Sequence, residues 1–197
     1  MNIIYLHGFQ SSPFSIKGQQ LYQYSQHIRQ HQLHLPDLNC PPDDVINSVS
    51  EMIKALEQVV LVGSSLGGFY ATQLAEKFNI PAVLINPAVE PWTLFRTLFG
   101  VEQLPYRVNE KWTLDNAQLN FLESTAVQNL QHSENFLVLL QQGDEVLDYR
   151  QAEQFYRPSS FVVTETKGNH AMENFAEKIP MLIEFLSGFA AKNKLKG

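Results

Sequence analysis

Four apolar, β-prone residues, Val59-Val60-Leu61-Val62, run directly into Gly63-Ser64-Ser65-Leu66-Gly67-Gly68, and residues 69–78 follow with apolar positions at helical spacing. A strand that ends in Gly-x-Ser-x-Gly and continues as a helix has few ways to fold. Its serine occupies a sharp strand-to-helix turn, with the hydroxyl exposed for nucleophilic attack. Such a turn strains the serine's backbone, and Gly63 and Gly67, two residues to either side of Ser65, remove Cβ atoms that would crowd it. The start of the helix adds free N–H groups and a favourable dipole. Taken alone, the pattern is also compatible with a Gly-rich turn that only packs helix on sheet. A phosphate loop does not fit, because Phe69 and Tyr70 stand where Lys and Ser/Thr are required after the outer glycines Gly63 and Gly68.

The remaining chain alternates strand-like and helix-like segments, the pattern of a parallel sheet covered on both faces. Residues 3–6 read as a strand, 15–31 as a helix and 33–35 as a short strand. Asp43 and Asp44 offer an N-cap for a helix running to about residue 58, with Val45, Ile46, Val49, Met52, Ile53 and Leu56 as its apolar stripe. Beyond the 59–62 strand and its helix, 82–85, 136–140 and 161–164 read as strands, and 149–156 and 172–189 as helices. Regularity breaks over 87–133, which is rich in aromatics and has no obvious strand. This stretch reads as a cap insertion of two or three short helices within a single domain spanning 1–197. Its aromatics suit an apolar acyl pocket, and Trp92 and Phe95, with Phe9, are candidate substrate contacts. Packing of the insertion onto the core is the competing role for any one of them.

Composition narrows the function classes. The 197 residues suit one compact domain with a sizeable core. Fourteen Lys and Arg against twenty Asp and Glu give a net charge of −6, which argues against a nucleic-acid partner. The N-terminus enters its first strand without a basic region or a long apolar run, so no secretory signal is expected. No apolar run approaches the ~20 residues that span a bilayer, and no membrane partner is expected either. Cys40 is the only cysteine, which excludes an intrachain disulfide and makes a reducing, cytoplasmic compartment the default. It sits in Asn39-Cys40-Pro41-Pro42 with no base beside it, a poor setting for a nucleophile. His27 and His31 are four apart on a helix, but Ile28 stands where a zinc protease has its glutamate, so a solvated face is expected and no metal.

A serine at neutral pH needs a base to take its proton and a third group to orient that base. In open α/β sheets such groups gather at the carboxyl ends of strands. After 136–140 comes Gln141-Gln142-Gly143-Asp144-Glu145-Val146-Leu147-Asp148, and after 161–164 comes Lys167-Gly168-Asn169-His170. Ser65, His170 and Asp144 thus form a candidate catalytic set. Asp148 is the alternative acid, its competing role being an N-cap for the helix near Tyr149. His7-Gly8-Phe9 follows the first strand, where acyl transfer wants one of two N–H donors for the developing oxyanion. Phe9 supplies that donor in this reading and Leu66, after the nucleophile, the other. His7 itself is open between a role at the site and hydrogen bonding within its loop.

Leu6-His7-Gly8-Phe9-x-Ser11-Ser12-Pro13, Gly63-Ser64-Ser65-Leu66-Gly67-Gly68, Asn86-Pro87-Ala88-Val89, Gly143-Asp144-Glu145-Val146-Leu147-Asp148-Tyr149-Arg150 and Gly168-Asn169-His170 together resemble the YqiA-like esterases, small bacterial α/β-hydrolases. The resemblance covers nearly the whole chain. It implies an α/β-hydrolase fold and ester or thioester hydrolysis with no cofactor, with Ser65 as nucleophile, Asp144 as acid and His170 as base. The chain starts at the strand before the oxyanion loop, so the sheet is expected to be small, about six mostly parallel strands. The edge strand this leaves near the site is an argument for a homodimer. Alternatives remain: the same triad can cleave a C–C or amide bond or transfer an acyl group, and a non-catalytic binding protein can keep the scaffold.

Overall fold

The structure, a computed structural model, describes residues 1–28, 31–100, 104–157 and 161–194. Its centre is a six-stranded sheet with every pairing parallel, in the order β2-β1-β3-β4-β7-β8. In chain order these are β1 (Asn2–Leu6), β2 (Gln32–His34), β3 (Val59–Ser64), β4 (Ala82–Ile85), β7 (Phe136–Gln141) and β8 (Phe161–Glu165). Strands β3, β4 and β7 are buried at every residue, as an interior strand covered on both faces must be. Successive residues point to opposite faces and so feed two cores. Ile4, Leu61, Leu84 and Val138 belong to one. Ile3, Val60, Val83 and Leu137 belong to the other, with Leu182 and Leu186 of the last helix.

The helices that cover the sheet are α1 (Ile16–Ile28), α2 (Pro42–Ala55), α3 (Leu66–Phe78), α6 (Tyr149–Tyr156) and α7 (Phe175–Lys194). Between β1 and β3 the chain order reverses its direction across the sheet, which opens a crevice at the carboxyl ends of those two strands. The loop after β1 and the Ser65 turn after β3 meet there. Among the described residues no helix is long and apolar enough to cross a membrane.

Several boundaries differ from the sequence reading, each for a local reason. Helix α2 starts at Pro42 behind an N-cap Pro41 without a side-chain hydrogen bond, so Asp43 and Asp44 are not the cap. They sit in the first turn, where they favour the helix dipole, and Pro42 opens a helix at no hydrogen-bonding cost. Helix α1 is described to Ile28; of the expected continuation to residue 31, 29–30 lie outside the described residues and His31 is not helical but leads into β2. Met172 takes a φ of 48°, which delays α7 to Phe175. The insertion holds α4 (Pro91–Phe99) and α5 (Asn116–Thr125), as expected, but also an antiparallel pair, β5 (Tyr106–Arg107) with β6 (Thr113–Leu114). Two-residue strands are too short to leave an alternating pattern.

Candidate active site

The Ser65 turn is pinned from three directions. Its N–H donates to Ile85 O at 3.0 Å, while its carbonyl accepts from Gly68 N at 2.9 Å and Ala88 N at 3.1 Å. These bonds hold Ser65 at φ 55°, ψ −122°, a conformation costly for any residue with a Cβ. The flanking glycines explain how the turn closes. A Cβ on Gly63 would lie 2.4 Å from Gly67 O, and one on Gly67 would lie 2.0 Å from Leu6 O, where α3 crosses the end of β1.

His170 Nε2 lies 3.0 Å from Ser65 Oγ, and His170 Nδ1 lies 2.8 Å from Asp144 Oδ2. With Nδ1 facing a carboxylate, the network assigns the proton to Nδ1 and leaves the Nε2 lone pair toward the serine hydroxyl. The Asp144 side chain is 2% exposed and the imidazole 21%. Asp144 Oδ1 also accepts the N–H groups of Val146 at 2.9 Å and Leu147 at 2.8 Å, which fix the carboxylate in its own loop. Asp148 is turned away: its Oδ1 accepts Arg150 N–H at 3.0 Å and caps α6. The structure therefore brings Asp144, and not Asp148, to the imidazole.

The loop after β1 is held by His7, which is fully buried. Leu38 N–H donates to His7 Nε2 at 3.0 Å, so the proton sits on Nδ1 and donates to Gly8 O at 2.9 Å. Asp37 Oδ1 lies 3.5 Å from the same Nε2, but that nitrogen already accepts from Leu38, so the contact is not an ion pair. His7 thus shapes the loop from behind. Gly8 packs so closely that a Cβ there would be 3.1 Å from Ser65 Cβ. Among the described residues, the Phe9 and Leu66 N–H groups donate to no acceptor within the fold.

A cavity of about 450 Å³ opens over Ser65 and His170. Gly8 and Phe9 form part of its wall, and Ser15, Lys17 and Gln20 of the α1 region and Met172 of the His170 loop form much of the rest.

Residues 2–187 match the model of an uncharacterised protein family, UPF0227. The chain belongs to this family. It is the YqiA family that the sequence motifs resemble. Among solved structures, mouse alpha/beta hydrolase domain-containing protein 10 is 19% identical with a TM-score of 0.73, covering 94% of this chain and 90% of its own. Est1E from Butyrivibrio proteoclasticus, with ferulic acid bound, is 16% identical with a TM-score of 0.67, over 97% of this chain and 88% of its own. The Pyrococcus furiosus esterase Pf2001 is 15% identical with a TM-score of 0.65, over 94% and 81%. These likenesses establish the α/β-hydrolase fold for this YqiA-family chain.

Two candidate substrate contacts fall elsewhere. Phe9 reaches the cavity, but Trp92 and Phe95 do not line it. Phe95 is 2% exposed and packs its ring, tilted by 56°, 4.7 Å from that of Phe9, while Trp92 meets Phe69 at 6.1 Å, so both are core residues behind the loop. Their spacing, i and i+3 on α4, is that of a core-facing stripe. The described residues of the insertion pack on one face of the sheet, and none of them lines the cavity.

The YqiA-family site also uses residues to which the sequence reading gave no role. Asn86 Nδ2 donates to Asn169 O at 3.1 Å and His170 O at 3.2 Å, while Asn86 Oδ1 accepts Gln141 N–H at 3.0 Å. Gln141 Oε1 accepts Asn169 N–H at 2.8 Å, and Glu145 Oε2 accepts His170 N–H at 2.9 Å. That last bond helps hold the Glu145 carboxyl below its ordinary range. Asn86 and Gln141, polar residues at the carboxyl ends of buried strands, carry the one sequence signal of such a role. Cys40 stays outside the site, its thiol pushed up by burial and by Asp44, Asp37 and Asp43.

Proposed function

We propose that this YqiA-family protein is a serine esterase that hydrolyses small or acyl-chain esters, thioesters included, through an acyl-enzyme. The observation that carries the reading is the continuous line from Ser65 Oγ to His170 Nε2 at 3.0 Å and from Nδ1 to Asp144 Oδ2 at 2.8 Å. In this reading Ser65 attacks the ester carbonyl as His170 takes its proton, and Asp144 holds the imidazole in the productive tautomer and stabilises the imidazolium. The Phe9 and Leu66 N–H groups receive the oxyanion, each contributing about 2.7 to 4 kcal/mol to the transition state. His170 then protonates the leaving group, and water, deprotonated by the same imidazole, releases the acid. The bound state of Est1E and the esterase from Pyrococcus furiosus are consistent with ester chemistry on this fold. With Cys40 as the sole cysteine, a reducing cytoplasm is the compartment proposed.

A fluorophosphonate probe tests the nucleophile directly. Folded wild-type protein should label and hydrolyse p-nitrophenyl butyrate, and Ser65→Ala should do neither. Equal labelling of the two would reject Ser65, and a wild-type protein that neither labels nor turns over ester would indicate a scaffold kept for binding alone.

A further inference from the structure

The cavity over Ser65 has one feature that an apolar ester does not need. Lys17, in the first turn of α1, contributes to its wall and is half-buried. Among the described residues its ammonium has no hydrogen-bond or ion-pair partner. The charge it senses most is that of Asp144, whose carboxylate is 2% exposed and already committed to His170 and to two backbone N–H groups. Partial removal of an ammonium from water without a counter-ion is costly, and burial accordingly pushes the Lys17 pKa down.

The surroundings favour an anion as the missing partner. The first turn of α1 contains no acidic residue, so the positive end of that helix adds to the Lys17 charge. Glu173 also lines the cavity, but it is exposed and forms no ion pair with Lys17, so its charge is hydrated and screened. With the committed Asp144 and the rim Glu173 both near this one cation, a monoanion suits the cavity better than a dianion.

We infer that the preferred substrate is an ester carrying a carboxylate on its acyl or leaving part, and that Lys17 is the residue that selects it. This rests on Ser65 being the esterase nucleophile and adds the substrate class. In the complex the carboxylate accepts a charge-assisted hydrogen bond from Lys17, worth a preference of about 10- to 100-fold over a neutral isostere.

Two matched pairs of esters read this preference in the full-length protein. Mono-p-nitrophenyl glutarate against p-nitrophenyl valerate places the carboxylate on the acyl side. Acetoxybenzoate against acetoxybenzamide places it on the leaving side, with rates normalised to spontaneous hydrolysis. The wild-type kcat/KM should favour the anionic member in at least one pair. Lys17→Met should collapse that ratio toward unity and Lys17→Arg should keep most of it, with far-UV circular dichroism verifying the fold of each variant. No preference in either pair overturns the inference, as does a preference that survives Lys17→Met. Equal losses on both members overturn it too, because Lys17 would then act through Asp144 as a positioning residue. Turnover of neutral esters without any preference would leave the esterase reading standing while this inference fell; no turnover of any ester would remove both.

Discussion

Asp144 and Asp148 lie in one loop four residues apart, yet their surroundings assign them different work. Asp144 spends its oxygens on the imidazole and on two N–H groups of its own loop, whereas Asp148 closes the first turn of α6. If Ser65, His170 and Asp144 act together, Asp144→Asn should lower kcat on p-nitrophenyl butyrate by about 10⁴-fold, because the amide presents a donor to Nδ1 and favours the wrong tautomer. Asp148→Asn should change kcat less than about twofold, since asparagine caps as well as aspartate. The opposite ranking would move the acid to Asp148. Asn86 acts on the same imidazole through its backbone. Asn86→Ala removes two donors from the His170 loop and one acceptor from Gln141, and should lower kcat more than it raises KM, with a stability loss of about 1 to 3 kcal/mol for the buried groups left unpaired. A loss of stability with kcat intact would make Asn86 purely structural. Ser65 and His170 were legible in the sequence because each ends its own strand-plus-turn pattern. Spacing alone left the acid open, since Asp144, Glu145 and Asp148 share one short loop and differ only in hydrogen bonds. Lys17 left no signal at all: a lysine in a helix first turn reads as solvated until the cavity beside it is known.

The loop that carries His170 is anchored by the ends of β7 and β8. Glu165, the last residue of β8, receives Gln141, Asn174 and Lys178, and the paired Lys178 with those two amides draws its carboxyl down to about 2. Its folded pKa lies below its ordinary value of 4.5, so the ionised group stabilises the fold above that pH and loses its contribution as pH falls from 4.5 toward 2. The Glu165 and Lys178 side chains are 30% and 19% exposed, so water screens the pair and the contribution is about 1 kcal/mol. Urea melts of wild type and Glu165→Gln across that pH window isolate it from other carboxylates: the stability difference should shrink toward zero at the acid end. A difference that stays constant through the window would mean that Glu165 ionisation does not support the anchor. The alternation of strand and helix was readable here because buried strands and amphipathic helices have distinct periods. The caps were less so. Asp148 caps α6, the competing role the sequence offered it, and Asp115 caps α5 without having been singled out, while Pro41 replaces Asp43 and Asp44 at α2, and β5 and β6 are too short to show a period.

For the molecule as a whole, the insertion between β4 and β7 decides whether the site has a separable lid. Trp112, Leu114, Leu119 and Leu122 of the insertion are almost fully buried in the same cluster as Leu61, Leu84 and Val138 of the sheet. Phe9 of the loop after β1 joins that contact, its ring 5.8 Å from Trp112. An insertion that shares its core with the sheet gains nothing by opening alone, because opening exposes both sides of the interface at about 25 cal/mol per Å² of apolar area. The chain's two tryptophans, Trp92 and Trp112, both lie in this insertion, so their fluorescence reports on it, while far-UV circular dichroism reports on every helix. In urea the two signals should trace one transition with a common midpoint, as expected of a single cooperative unit. A tryptophan transition complete at lower urea, with the helical signal still native, would identify the insertion as an independent lid; Phe9 would then lose its backing when that lid opened, and, on the proposed function, turnover of p-nitrophenyl butyrate would fall with the first transition.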